Sequence, residues 1–245
     1  MGIDDRYAWN TDPMFLTDPD PAELRRLYAV PPAAENATRP FVRANFVMTV
    51  DGHVTGRDGL SGSINNAADK QVFDLLRSLA DTVLVGAGTV RREGYGRVEA
   101  PDAVMAPDLV VVSNSGLMPD SVVDSPSHDG GVPRGRALLA THSATPVAQP
   151  GVEYLRCGAA AVDEALMMRE LHDRGARSVL CEGGPHLLTS LLAKGLVDEL
   201  AITTTPLLVG SVNNLHLITE PFEADLAWRG GAVIDGTVFA VWRLS

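Results

Sequence analysis

Two stretches constrain this chain more than any others, VLVGAGTVRR at 83–92 and VLCEGGPHLL at 179–188. Each is a short apolar run that ends in glycines and passes at once into a helix-compatible segment. Such a run reads as a buried strand of a parallel sheet joined to its crossover helix. Glycine at the turn lets a ligand's phosphate approach the backbone, and unpaired N–H groups at the helix start favour an anion. Two such turns suit a ligand with several phosphates, such as a dinucleotide. The plainer alternative is glycine required by strand–helix packing alone. Neither turn is G-x-G-x-x-G or G-x-x-x-x-G-K-[ST], so neither a Rossmann dehydrogenase nor a P-loop site is supported.

Strands and helices alternate around these turns. Phe41–Val50 reads as a strand that ends in the turn signal Asp51-Gly52 and leads into the polar loop GRDGLSGSINN. Ala67–Ala80 reads as a helix capped by Asn65 or Asn66, with Asp69 in its first turn and Val72, Phe73, Leu76, Leu79 and Ala80 along one face. Thr82–Val85, Leu109–Val112, Ala137–Ala140, Ser178–Cys181 and Leu200–Thr204 read as strands, and Val162–Arg174 and Pro185–Lys194 as helices. Ala232–Leu244 alternates like an antiparallel hairpin around Asp235-Gly236. The pattern predicts an α/β fold: a mixed, mostly parallel sheet flanked by helices, with antiparallel strands at the C-terminus. Residues 1–40, rich in Pro and Asp, read as an arm with one short helix, Pro21–Tyr28, capped by Asp20. Leu24, Leu27 and Tyr28 give that helix an apolar side to dock, and the globular domain is expected over 41–245. Asp120–Arg136 reads as a flexible surface loop.

Composition narrows the functional classes. The 245 residues carry 20 Lys+Arg against 31 Asp+Glu, a net charge of −11, which argues against a broad nucleic-acid surface. No apolar run approaches the ~18 residues of a membrane span. The first residues, MGIDDRYAWNTDP, are acidic where a signal peptide is basic, so a cytoplasmic location is expected. Two scattered cysteines and six histidines without metal-ligand spacing give no reason to expect a metal.

Five positions invite a chemical role beside a structural one. Arg91 and Arg92, next to the first glycine turn, suit the 2′-phosphate of NADP or else form a solvated helix face. Arg77 either reaches into a cleft or snorkels to water. Asp51 either makes its turn or bonds a heterocycle and relays a proton. Glu182 ends a buried strand at the place where open α/β sheets bind ligands.

Taken as a set, NFVMTVDG at 45–52, Leu76-Arg77, LVGAGTV at 84–90, EGG-P at 182–185 and GLVDEL at 195–200 resemble the reductase domain of bacterial riboflavin biosynthesis. That domain is a pyrimidine reductase usually fused behind a zinc deaminase, and it has the dihydrofolate reductase fold. The similarity runs over about residues 40–245. It implies NADPH as cofactor, contacted by Val47, Ser63, Gly86, Gly88, Thr89, Val90, Arg91 and Glu93 and by Gly183, Gly184, Pro185, His186, Leu187 and Leu188, with Ser113 and Asn114 near the adenosine. It implies substrate contacts at Ser61, Arg77, Arg97 and Glu182, with Asp51 as the catalytic candidate where nicotinamide and substrate meet. The implied reaction reduces the ribose of 5-amino-6-(5-phosphoribosylamino)uracil, or of its 2,5-diamino precursor, to a ribityl chain. Arg77 and Arg97 would hold the phosphate, and Asp51 and Glu182 the polar head. A homodimer is implied as well.

The chain departs from the family in two places. Ser63-Ile64-Asn65 stands where the family often has an aromatic residue and a threonine, which keeps open a dihydrofolate- or pterin-type reductase on the same scaffold. No H-x-E and no P-C-x-x-C of a deaminase occurs, so the chain is expected to be the reductase half alone. The lack of an obvious acid–base pair keeps open a further alternative, an NADPH-binding module without turnover.

Overall fold

The apolar runs at 83–85, 109–111 and 178–181 are buried on both faces, as the middle strands of a covered parallel sheet must be. In the computed structural model, which describes residues 14–31, 37–99, 105–126, 128–129, 132–146, 149–210 and 215–244, they sit in one large sheet. The strands are β1 (Met14–Thr17), β2 (Phe41–Thr49), β3 (Thr82–Gly86), β4 (Asp108–Val112), β5 (His128–Asp129), β6 (Val132–Pro133), β7 (Ala137–Thr141), β8 (Glu153–Arg156), β9 (Ser178–Cys181), β10 (Glu199–Thr205), β11 (Leu226–Ile234) and β12 (Thr237–Leu244). The helices are α1 (Pro21–Leu27), α2 (Ala67–Ser78), α3 (Ala87–Glu93), α4 (Asp120–Val123), α5 (Glu164–Asp173) and α6 (Pro185–Ala193).

Ten strands pair in the order β1-β11-β12-β10-β2-β9-β3-β4-β7-β8. From β10 to β8 every pairing is parallel, while β12 runs antiparallel to both β10 and β11. This is the mixed, mostly parallel sheet with antiparallel C-terminal strands that the pattern predicts. Alternation along the strands splits the core into two layers. Leu84 of β3 faces Met167, Met168, Leu188 and Leu191 of α5 and α6, whereas Val83 and Val85 face Val72 and Leu76 of α2.

Two expectations change. The N-terminal segment is part of the sheet: β1 pairs in parallel with β11, and Leu24, Leu27 and Tyr28 are buried in the core layer under α2. Gly230 makes room for β1, because a Cβ there would stand 2.7 Å from the Met14 carbonyl oxygen. Below α1 the buried Glu199 carboxylate pairs with Arg43 at 2.8 Å and Arg229 at 3.0 Å. The Arg43 guanidinium also donates to the Tyr28 carbonyl at 2.9 Å, and that of Arg229 donates to the Leu27 carbonyl, so the helix C-terminus is held by cations. The second change concerns Asp120–Arg136, which contains α4 and the short β5–β6 pair; Val122 anchors α4 in the core. Edge strands β1 and β8 are too short for their alternation to stand out in the sequence. The caps behave as predicted. Asp20 and Glu23 form a reciprocal capping box on α1, and the Asn66 carboxamide oxygen accepts from the Asp69 N–H of α2.

Candidate active site

β3 enters α3 at Gly86, and β9 enters α6 through Gly183 and Gly184. The Gly86 N–H donates to the Gly183 carbonyl at 2.7 Å, so the two glycine turns are joined side by side. Gly183 adopts φ +92°, and a Cβ there would meet the Phe46 ring at 2.9 Å; only glycine fits. A Cβ on Gly184 would stand 2.6 Å from the Thr89 hydroxyl, whereas one on Gly88 would meet no protein atom within 4 Å. The α3 and α6 starts have no side-chain cap, which leaves their first N–H groups for an anion.

Beside these turns lies a cleft of about 370 Å³ between α2, α3 and the sheet. Asp69, Phe73 and Arg77, at four-residue intervals on one face of α2, line one wall. Asn45 and Val47 of β2 contribute from the sheet, and Thr89, Gly184 and Pro185 from the glycine turns. Arg92, Glu93 and Arg97 come from α3 and the segment after it.

One buried cluster organises this cleft. Arg77 donates from Nε and Nη2 to the two Glu182 carboxylate oxygens, each at 2.8 Å, and the Tyr95 hydroxyl donates to Glu182 at 2.9 Å. The guanidinium stacks over the Phe73 ring at 4.1 Å. Burial works against the Arg77 charge, but the Glu182 carboxylate outweighs it and the pKa is raised. Burial, reinforced by the Glu182 charge, pushes the Tyr95 phenol well above its ordinary value. The Glu182 side chain is only 2% exposed. Arg77 and Glu182 thus hold each other instead of presenting two free charges.

The remaining residues singled out from the sequence divide in two. Val47, Ser61, Thr89, Glu93, Arg97, Gly184 and Pro185 line the cleft with Arg77 and Glu182. The Ser61 N–H donates to the Glu93 carboxylate at 2.9 Å, and Arg97 donates to the Ser125 and Gly135 carbonyls. Asp51 is not part of that lining. Its carboxylate accepts from the Thr49 hydroxyl at 2.5 Å and the Val209 and Gly210 N–H groups at 3.2 and 2.8 Å, and these bonds, the Thr49 hydroxyl first, lower its pKa to about 2. Such an acid is ionised at neutral pH and offers no proton; it ties the β2 turn to the segment after β10. Ser63 bonds Asp58 and the Leu60 carbonyl, Ser113 bonds Ser115, and the Asn114 carboxamide accepts from the Val162 N–H; none of the three lines the cleft. Val90, Leu187 and Leu188 turn their side chains into the core. Gly86, Gly88, Arg91, Gly183 and His186 lie on or beside the two turns without lining the cleft.

Sequence reasoning missed Asn45, Phe73 and Tyr95 as cleft residues and read Asp69 only as a helix-start acid. The available signals were a lone carboxamide in an otherwise buried strand and the stripe that Asp69 and Phe73 form with Arg77. Burial pushes the Asp69 pKa up, opposed by the Thr203 hydroxyl that bonds its carboxylate.

The family model described as the RibD C-terminal domain matches residues 40–229. The chain is 29% identical over 182 residues to the 2,5-diamino-6-ribosylamino-4(3H)-pyrimidinone 5′-phosphate reductase of Methanothermobacter thermautotrophicus, covering 70% of this chain and 80% of that one. Its fold is similar to a pyrimidine reductase-like protein from Corynebacterium diphtheriae, with a TM-score of 0.74 at 24% identity, covering 91% of this chain and 98% of that one. It is also similar to the riboflavin biosynthesis reductase Rib7 of Saccharomyces cerevisiae, with a TM-score of 0.70 at 20% identity, covering 93% and 100% of the two chains.

Proposed function

The chain belongs to the RibD C-terminal domain family, and on that premise we propose that it is an NADPH-dependent reductase that opens the ribose of a ribosylaminopyrimidine 5′-phosphate and reduces it to a ribityl chain. The observation that carries this reading is the joining of the two glycine turns against one cleft that also holds the buried Arg77–Glu182–Tyr95 cluster.

The residues present fit a dinucleotide. The space beside Gly88 is open, the uncapped starts of α3 and α6 offer N–H donors, and Arg91 and Arg92 supply positive charge for a 2′-phosphate. NADPH, when bound, supplies the hydride. Orientation then provides much of the rate, and this chain's residues provide the orientation. Glu182, locked by Arg77 and Tyr95, keeps one carboxylate fixed at the floor of the cleft. Arg97, which lines the cleft and is itself braced by two backbone carbonyls, offers positive charge to the substrate phosphate.

The reading also takes a second copy of the chain as partner. Val50 and Leu208 are 63% and 71% exposed, and the Val50 N–H bonds the Leu207 carbonyl, which brings together the two segments that carry these apolar side chains. Among the described residues no helix is long and apolar enough to cross a membrane.

The test incubates purified protein with NADPH and the ribosylaminopyrimidine phosphate and weighs the product by mass spectrometry. A product heavier than the substrate by two hydrogens, formed only with both reactants present, supports the reading. Unchanged substrate refutes it.

A further inference from the structure

A second cavity of about 370 Å³ lies at the other end of the sheet and on its other face. Thr82 begins β3, some 13 Å along the strand from Gly86 and the glycine turns. In register beside it come Asp108 at the start of β4 and then Arg136, just before β7. Two residues further along the three strands, Leu84, Val110 and Leu138 point to the same side, into the core layer of α5 and α6. Leu171, Arg174 and Ala176, from the C-terminal turn of α5 and just beyond it, line the cavity from the helix side. Its polar groups are only partly used. Thr82 is 2% exposed, and its hydroxyl bonds no other described residue. Neighbouring Asp81 gives Oδ2 to the Arg177 and Ser178 N–H groups and leaves Oδ1 open. Arg136 holds Asp108 through Nε and Nη2, and Arg174 holds Glu153 through Nη1 at 2.7 Å. The other N–H groups of both guanidiniums bond no described residue.

We propose that this cavity is a second ligand site, separate from the catalytic cleft, and that it takes a small aromatic carboxylate. An apolar floor with a few convergent polar groups is the usual make-up of a small-molecule site, and the volume is of the usual size. Asp108 is already neutralised by Arg136, whereas Arg174 has only an exposed partner in Glu153, and such a pair contributes little. The spare donors of Arg136 and Arg174 therefore suit a carboxylate, which accepts from guanidinium in charge-assisted bonds. The ring lies on Val110, Leu138 and Leu171. At its far end a hydroxyl donates to Asp81 Oδ1 and accepts from the Thr82 hydroxyl. Thr82 and Arg136 are two strand spacings apart, about 10 Å, a span that one ring with a hydrogen bond at each end covers. The site needs neither the cofactor nor the reductase activity.

The experiment titrates isotope-labelled protein with 4-hydroxybenzoate, its methyl ester and 4-hydroxybenzylamine, and follows the backbone amides by NMR. Wild type is expected to bind 4-hydroxybenzoate with a Kd of about 1 mM or tighter, an ordinary affinity for a ligand of about ten non-hydrogen atoms. The shifts are expected at Thr82, Gly175 and Ala176, with Gly88 and Gly184 unmoved. The ester, which has lost the charge, and the amine, which reverses it, are expected to bind at least about tenfold more weakly. Arg174→Gln is expected to weaken 4-hydroxybenzoate by about tenfold, and thermal melting reports whether that variant is folded. The three ligands on wild type decide the matter even if it is not. No binding up to about 10 mM overturns the proposal, as do shifts confined to Gly88 and Gly184, which place the probe in the catalytic cleft. An ester or amine that binds as tightly as the carboxylate overturns it too, and so does a folded Arg174→Gln with an unchanged Kd.

Discussion

Arg77 and Glu182 form a two-bond fork at 2.8 Å in which the carboxylate is almost fully enclosed. Helix α2 and the end of strand β9 are thereby fixed to each other across the cleft. Removing one partner leaves the other buried and uncompensated. Arg77→Ala should cost about 3–5 kcal/mol of unfolding free energy, read as a lower urea midpoint with unchanged slope. Arg77→Lys should recover little of it, because an ammonium cannot reproduce the fork. A loss below about 1 kcal/mol, the size of an exposed pair, would show the cluster to be solvated.

The glycine turns make a prediction in which stability and binding move in opposite directions. Gly88 is helical and has open space beside it, so Gly88→Ala should raise stability by about 0.5 kcal/mol. The added methyl occupies room assigned to the cofactor, and NADPH affinity should fall about tenfold or more, equivalent to ~1.4 kcal/mol. Calorimetric titration and thermal melting of the same sample decide it. Unchanged affinity would place the cofactor elsewhere.

Asp51 gives a pH prediction. Its folded pKa, lowered to about 2 chiefly by the Thr49 hydroxyl and then by the Gly210 N–H, lies below the ordinary carboxylate value. The stabilisation is therefore fully present above the unfolded pKa of about 4 and is lost as pH falls through the folded value. Amide protection at Val209 and Gly210, taken relative to the intrinsic exchange rate at each pH, should be high at neutral pH, fall on acidification toward pH ~2 and lose that dependence in Asp51→Asn. A pH–rate profile of the enzyme that moves with Asp51→Asn would restore a direct role in proton transfer.

The N-terminal segment should behave as core. Leu24 is fully buried, and Leu24→Ala should destabilise the whole protein by about 2–5 kcal/mol in a single transition. A separate early transition in denaturation would mean that α1 and β1 form an appendage.

Central strands and helices were legible because burial on two faces or along one stripe leaves a strong period, as in Val83–Val85 and in Val72 with Leu76. The caps Asp20 and Asn66 were legible because side-chain capping is local chemistry. β1 and β8 were not, because four residues at a sheet edge show too little alternation. At the site, the glycine turns stood out since backbone conformation restricts the residue type. The pairing of Arg77 with Glu182 depends on two segments 105 residues apart and left no local trace. Asp51 left two readings open for a related reason: Asp-Gly is a turn signal whatever the carboxylate does next, and its partners Val209 and Gly210 come from a distant segment.

The most direct test of the central claim follows the label. The protein is supplied with NADPH deuterated at the transferable position of the nicotinamide, together with the 2,5-diaminopyrimidinone ribosylamino phosphate, and dihydrofolate is run in parallel. The account predicts deuterium at C1′ of a newly formed ribityl chain and none in the folate. Deuterium in tetrahydrofolate, or in neither product while NADPH still binds, would contradict it.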